Sequence, residues 1–559
     1  MNDRPTDDRP GVSSLEKEII GTRLQTAAEE IWDATTRLAF SIAMRDMKDA
    51  STSVMTPDGT AIGWSQRNVP ALSGNVSRTT RIILEEHIPP EDIDPGDVIV
   101  TNDPWIGSGH LPDMSVITPI FHDGELAGFA GTTGHLQDIG GSPGGWSTDS
   151  TQFYSEGVLV PPTKLYERGE RNDAVETMIR GNVRIPDTVM GDIEAMRSGN
   201  AVGAERIRET VEEASVDAFV EVTEEHLQRS EERLRNRIRE LDDGTESGEI
   251  SFSLAGHDLI FEVDLTVDGS DIVVDTTGSS EQVEAGINIP FTNTRSVTEY
   301  VVTSMLIGSD VAKTEGVFEP IEIVAPEGSI LNCERPFPTL SRHVTFGRYE
   351  ALLMKLLGRF VPDQAISEFG GVHVNTFTGV DENGQEFVSL FPLASDIPPS
   401  KGKDGEPGVF FPYGGRWVPI EVFEQYCPVR VERNTFAPDT EGAGEYRSAP
   451  AVEFSVHNPS DVTVVIVSVA ENADHNPAGF EGGLEGKTDT VSSSVEGRDV
   501  PVDGRIELEP GETLTFSPAS SGGYGDPENR DEDLIERDVR YGYITEERAR
   551  EVYGHETDE

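Results

Sequence analysis

Apolar residues at Ile19, Ile20, Leu24, Ala27, Ile31, Leu38 and Ile42 recur at helical spacing, which predicts one long amphipathic helix running to about Asp49. Ser13 followed by Glu16 marks its start as a capping box. From there to about residue 165 the pattern changes to short apolar runs, such as Val98-Ile99-Val100 and Ser115 to Phe121, separated by Pro, Gly and Asp-Gly. These are strand and loop signals. His122-Asp123-Gly124 reads as the turn of a hairpin joining the run Ser115 to Phe121 with the run Glu125 to Thr132. Helical spacing returns over 173–242 and closes in ERLRNRIRELDDG, where opposite charges three and four apart predict a solvated face.

Strict alternation of Leu259, Phe261, Val263, Leu265 and Val267, then the run Ile272-Val273-Val274, opens a β-rich half at Gly248. Helices are expected over 296–307 and 348–360, an ordered loop or lid over the Pro- and Gly-rich 392–417, and a core strand from Val462 to Val469. Thr545 and Glu546-Glu547 favour the start of a short terminal helix ending at Tyr553. The expected fold class is α+β: a long N-terminal helix with a mixed strand and loop region, a helical middle, and a β-rich C-terminal half. The corresponding regions are 1–245, 246–445 and 446–559.

Charge narrows the function classes. The 559 residues carry 44 basic and 102 acidic side chains, a formal net charge of −58. Phosphate recognition begins with a basic footprint, so nucleic acid and anionic membranes are excluded as partners. With 36% apolar residues, 56 Gly and 35 Pro, the chain reads as loop-rich and globular rather than disordered. Only 8 of the basic residues are Lys, which suggests a surface adapted to high salt. The start MNDRPTDDRPG has no apolar h-region, and no run reaches the about 18 apolar residues needed to span a bilayer, so a cytoplasmic location is expected. Cys333 and Cys427 read as buried free thiols.

Chemistry is concentrated in two glycine-rich loops at strand ends, NDPWIGSGHLPD at 102–113 and GHLQDIGG at 134–141. His110 and Asp113, three apart across Pro112, share a turn, and the hairpin can return His135 beside them. Two histidines and one carboxylate with open positions suit manganese, iron or zinc. On spacing alone, histidines in such loops more often cap or hydrogen-bond than bind a metal. Asp138 could add a fourth ligand or orient His135, whereas Asp103, between Asn102 and Pro104, reads as a turn former rather than a base. SGGYGDP at 521–527 lacks the Lys-Ser/Thr of a phosphate cradle, and no nucleotide site is legible.

Taken in order, these two motifs, YSEGVLVPPTKLY at 154–166, Asn182 to Pro186, Gly286 to Pro290, Pro326 to Ser329, Glu421 to Pro428 and SGGYGDP resemble the hydantoinase B/oxoprolinase family, which includes acetone carboxylase α subunits. The resemblance spans essentially the whole chain. It implies a divalent metal, manganese first, held by His110, Asp113 and His135, with Asp138 or Asp103 as an available base. It further implies a partner, the hydantoinase A-type subunit, that binds ATP. The departures, Ser108-Gly109, Thr314-Glu315-Gly316 and Ser520-Ser521, touch loops and leave the ligand types intact.

The leading expectation is therefore the B subunit of an ATP-dependent hydrolase acting on a hydantoin or 5-oxoproline-like cyclic amide. Two alternatives are the α subunit of a ketone carboxylase and a structural subunit without chemistry of its own.

Overall fold

The computed structural model describes residues 13–72, 74–141, 146–214, 216–308 and 314–555. The charged first dozen residues lie outside them. The chain is α+β, as expected. The first helix is Ser14–Leu38, started by the Ser13–Glu16 capping box. It ends earlier than the apolar spacing predicts, because Phe40 and Ser41 donate their backbone N–H groups to Asp192 Oδ1 at 2.7 and 3.1 Å. Ser41 then caps a separate short helix, Ile42–Arg45. That break turns the chain so that Asp49 and the strand Ala50–Met55 enter the first sheet.

The first sheet has seven strands, in the order Ala61–Trp64, Ala50–Met55, Glu125–His135, Asp113–His122, Val98–Thr101, Thr163–Glu167, Glu170–Arg171. Both faces are buried, which explains runs such as Val98-Ile99-Val100: Val98 and Val100 pack with Leu111 and Met114, while Ile99 faces Ile117 and Phe129. On the Val54 and Ile120 side the cover is supplied by Ser14–Leu38 and Pro186–Ala214. Among the described residues the helical middle comprises Asp173–Arg180, Pro186–Ala214 and Val216–Ile238.

The alternating residues Leu259 to Val267 point from a four-stranded sheet into a core shared with the helices Phe291–Leu306 and His343–Phe360. Two further sheets then face each other across Val374, Phe377, Ile466, Phe454 and Phe516. The β-branched run forms the strand Val464–Ala470, paired on both edges by Val372–Val380 and Gly504–Leu508. These two sheets draw strands from both sides of residue 445. Segment 392–417 makes only brief pairings, Leu393–Ala394 and Asp396–Ile397 with Glu406–Pro407. Cys333 and Cys427 are buried free thiols.

Candidate metal centre

Backbone register places two of the three expected ligands. Asp113 and His135 are direct cross-strand partners at the open end of the hairpin, and the register runs from there to the His122–Glu125 pair at its tip. His110 reaches the same point from the preceding loop. Gly109 takes φ +95, and a Cβ there would stand 2.8 Å from Arg342 Nε, so only glycine lets the loop pass this side chain. The ligand atoms of His110, Asp113 and His135 lie within 4.8 Å of one another, and all three residues are buried.

Asp113 sits between the rings, with Oδ2 2.9 Å from His110 Nε2 and Oδ1 2.9 Å from His135 Nδ1. Ser108 Oγ donates to Oδ2 at 2.6 Å and Arg342 at 3.1 Å. Burial alone would raise the Asp113 carboxyl, but the His135 ring nitrogen on Oδ1 and the Arg342 guanidinium on Oδ2 hold it well below the usual carboxylate range. Burial also lowers Arg342, to about 10, which leaves it a cation at neutral pH.

Whether this trio suits a metal can be judged from one contact. His110 Nδ1 lies 3.1 Å from the Leu340 carbonyl, which can only accept, so Nδ1 carries the ring proton. Burial and the Arg342 charge push the imidazole down to about 4, so the ring is neutral and Nε2 is a bare lone pair. That lone pair faces a carboxylate oxygen at 2.9 Å. A neutral imidazole lone pair and a carboxylate oxygen converging on one point are the donor types a divalent ion takes, so the donor set fits such an ion.

The Leu340 carbonyl is itself fixed. Glu156, 1% exposed, accepts the backbone N–H groups of Thr339 and Leu340 at 2.9 Å. Burial lifts its carboxyl to about 8, against those hydrogen bonds. Glu156→Ala is expected to free the 339–340 segment and weaken metal affinity by about 10- to 100-fold, read by metal titration. Unchanged affinity would mean that Leu340 does not orient the ring.

Trp146 lies parallel to the His135 ring, with centroids 5.1 Å apart, and edge-on to His343 at 4.4 Å. Asp49 and Tyr413 join the wall of a cavity of about 100 Å³ whose remaining lining is largely apolar, including Val69, Leu72, Phe346, Val372 and Phe410. Burial raises the Asp49 carboxyl to about 6. A neighbouring Asp113 raises it further, and His135 and Arg342 oppose. The space suits a small ring.

The other two expected carboxylates are engaged elsewhere. Asp138 binds the Arg184 guanidinium at 2.9 Å and accepts from the backbone N–H groups of Gly140 and Ile185. Asp103 accepts from Trp105 N at 3.1 Å and pairs with Arg335. Both brace loops around the site.

A family model for hydantoinase B/oxoprolinase matches residues 13–527. The chain belongs to the hydantoinase B/oxoprolinase family. Among its relatives in this family is a protein of Pseudomonas sp. (strain NS671) assigned as the B component of a D-/L-hydantoinase, 30% identical and covering 97% of this chain and 95% of that one. The hydantoinase B fold is shared with the ATP-dependent caprolactamase of Pseudomonas jessenii, at a TM-score of 0.90 and 24% identity over 98% of this chain and 97% of that one. Nucleotide-free acetone carboxylase follows at 0.84 and 18%, covering 97% and 79%. Other relatives carry caprolactamase and 5-oxoprolinase names, among them the β subunit of the Pseudomonas jessenii caprolactamase and a 5-oxoprolinase of Arabidopsis thaliana.

In this hydantoinase B/oxoprolinase chain, sequence reasoning missed Arg342, Trp146 and Asp49 as parts of the site. Glu156 was visible only as one letter of the YSEGVLVPP motif. A lone acid followed by glycine and the apolar run Val158 to Val160 was the available signal for it.

Proposed function

We propose that the chain is the metal-bearing B subunit of an ATP-dependent hydrolase of hydantoin or 5-oxoproline-like cyclic amides, completed by an A-type subunit that binds ATP. The observation that carries this reading is the bare His110 Nε2 facing Asp113 Oδ2 at the wall of a cavity sized for one small ring. His110, Asp113 and His135 would hold the divalent ion, manganese by preference and zinc or iron within the same donor chemistry. A bound ion supplies Lewis-acid polarisation and a compact positive charge. The apolar walls exclude bulk water and orient the ring, and Arg342 keeps Asp113 ionised by pairing with it. Partner and ATP are carried over from the relatives, which include the β subunit of a caprolactamase.

The acetone carboxylase likeness favours a second reading, a ketone carboxylase α subunit using the same three ligands. One assay separates them. The chain, purified in high salt as its −58 charge requires, is combined with its co-expressed A-type subunit and given ATP with hydantoin, 5-oxoproline or acetone, with and without bicarbonate. Ring opening independent of bicarbonate is the expected result. Turnover of acetone that requires bicarbonate would replace the hydrolase by the carboxylase.

A further inference from the structure

One wall of the cavity continues into a buried acid that the metal site does not use. Tyr413 lines the cavity, and its hydroxyl lies 2.8 Å from Oε2 of Glu471, a residue 1% exposed. The same oxygen accepts the Val372 backbone N–H at 3.0 Å. The space around this pair is cut into the backbone: a Cβ on Gly347 would fall 1.9 Å from Glu471 Oε1 and 2.2 Å from the Tyr413 hydroxyl. A Cβ on Gly371 would fall 2.0 Å from Oε2. Gly347 lies inside the helix His343–Phe360, where glycine is otherwise disfavoured, so the opening serves the carboxyl group.

We propose that Tyr413 and Glu471 form a proton-donating pair that delivers a proton to the ring nitrogen of a cyclic amide held in the cavity. The inference rests on the hydrolase reading above. As the ring C–N bond breaks, the nitrogen keeps the electron pair and takes the Tyr413 hydroxyl proton. Tyr413 takes the Glu471 proton in turn. Water supplies the hydroxyl that joins the carbonyl carbon, and its remaining proton returns through Tyr413 to Glu471, so ring opening itself consumes one water, in addition to the water consumed as the partner subunit turns over ATP.

The surroundings favour this role. Burial raises Glu471 to about 8, so the carboxyl holds its proton at neutral pH, with Asp489 reinforcing and Arg348 and the hydrogen bonds opposing. Tyr413 is held well above its usual value by burial and by Glu471 and Glu350. Glu350, buried on the same helix as Gly347, leaves Oε1 without a partner among the described residues. Arg348 donates to the Glu471 backbone carbonyl at 2.8 Å and to Asp474 at 3.2 Å, rather than to the Glu471 carboxyl. No guanidinium among the described residues therefore neutralises the pair directly.

The experiment compares wild type, Tyr413→Phe and Glu471→Gln in the full complex with its ATP-binding subunit, using hydantoin, 5-oxoproline and caprolactam as probes. Both variants should lose about 10²- to 10⁴-fold in kcat with metal content and KM little changed. Glu471→Gln should also erase the alkaline limb of the wild-type pH profile, which a merely structural role would leave in place. Infrared difference spectra at neutral pH provide a readout independent of turnover: wild type minus Glu471→Gln should show the carbonyl band of a protonated carboxylic acid. Absence of that band, or turnover of both variants within about threefold of wild type, overturns the pair. If wild type turns over none of the probes, the hydrolase reading fails on its own, and the infrared band still decides whether Glu471 carries a proton. Should Glu471→Gln fold poorly, Tyr413→Phe removes a single hydroxyl and carries the kinetic test.

Discussion

Asp113→Asn should lose its divalent ion and at least about 10³-fold in kcat, because several kcal/mol of charge stabilisation depart with the metal and each factor of ten is about 1.4 kcal/mol. The amide keeps the shape of the carboxylate and can still accept from Ser108 and Arg342, so the protein should assemble normally. What disappears is the negative charge between two imidazole rings. Plasma mass spectrometry of wild type, Asp113→Asn and His135→Ala, beside turnover in the reconstituted complex, checks this. Near-stoichiometric metal in wild type and background metal in both variants is the expected outcome. Full turnover by Asp113→Asn in an assembled complex would sink the catalytic readings and favour a structural subunit.

The largest effect on stability is expected far from the cavity, at Asp538. Its carboxylate accepts from Arg447 at 2.7 and 2.8 Å and from Arg530 at 2.7 Å, and the Asp538 and Arg530 side chains are fully buried. Asp404 completes the group through Arg530 at 2.7 and 2.8 Å and through Arg537 at 3.0 Å. Breaking a buried ion pair from one side leaves uncompensated charge and costs about 3 to 5 kcal/mol. Asp538→Asn should destabilise by about that amount, first at the helices Glu532–Tyr541 and Glu546–Tyr553 that pack on Ala443. Hydrogen exchange across those helices together with denaturant unfolding measures it. A loss below about 1 kcal/mol would show that the network is easily rearranged.

The pH dependence has a definite sign. Burial opposes ionisation of Asp538 and Asp404, but Arg530 with Arg447 or Arg537 overrides it and holds both carboxyls low. A depressed folded pKa contributes stability that is fully present above the unfolded value, about 3.9, and is lost as pH falls through the folded value. Wild type and Asp538→Asn should therefore differ most near neutral pH and converge in acid.

The proximity of His110, Asp113 and His135 was legible in the sequence because it is local. A four-residue turn and one hairpin bring His110, Asp113 and His135 together, and strand alternation fixes the register. The groups that tune it come from long range. Arg342 reaches Asp113 across 229 residues, and Glu156 acts on Leu340 across 184. No periodicity links such positions. Asp138 lies beside a histidine loop in the sequence, whereas its carboxylate pairs with Arg184, 46 residues on, a partner no local pattern indicates. The first helix overran for a related reason: Leu38 and Ile42 keep helical spacing across a break that Asp192 imposes from a distant helix. Composition correctly marked 392–417 as irregular, but gave no sign that Tyr413 within it lines the cavity.

The hairpin that carries two of the ligands also separates two demands on the chain. Its tip, Asp123-Gly124, is about 30 Å along the strands from Asp113 at the usual rise per residue. A Cβ at Gly124 would meet nothing within 4 Å. The buried rungs nearest the site, Asp113 to Ile117 with Gly131 to His135, keep their pairing whatever decorates the turn. An affinity handle or fluorescent reporter grafted there would ride on the same two strands as the ligands without altering their spacing, so the hairpin offers a built-in mast for watching the centre from outside.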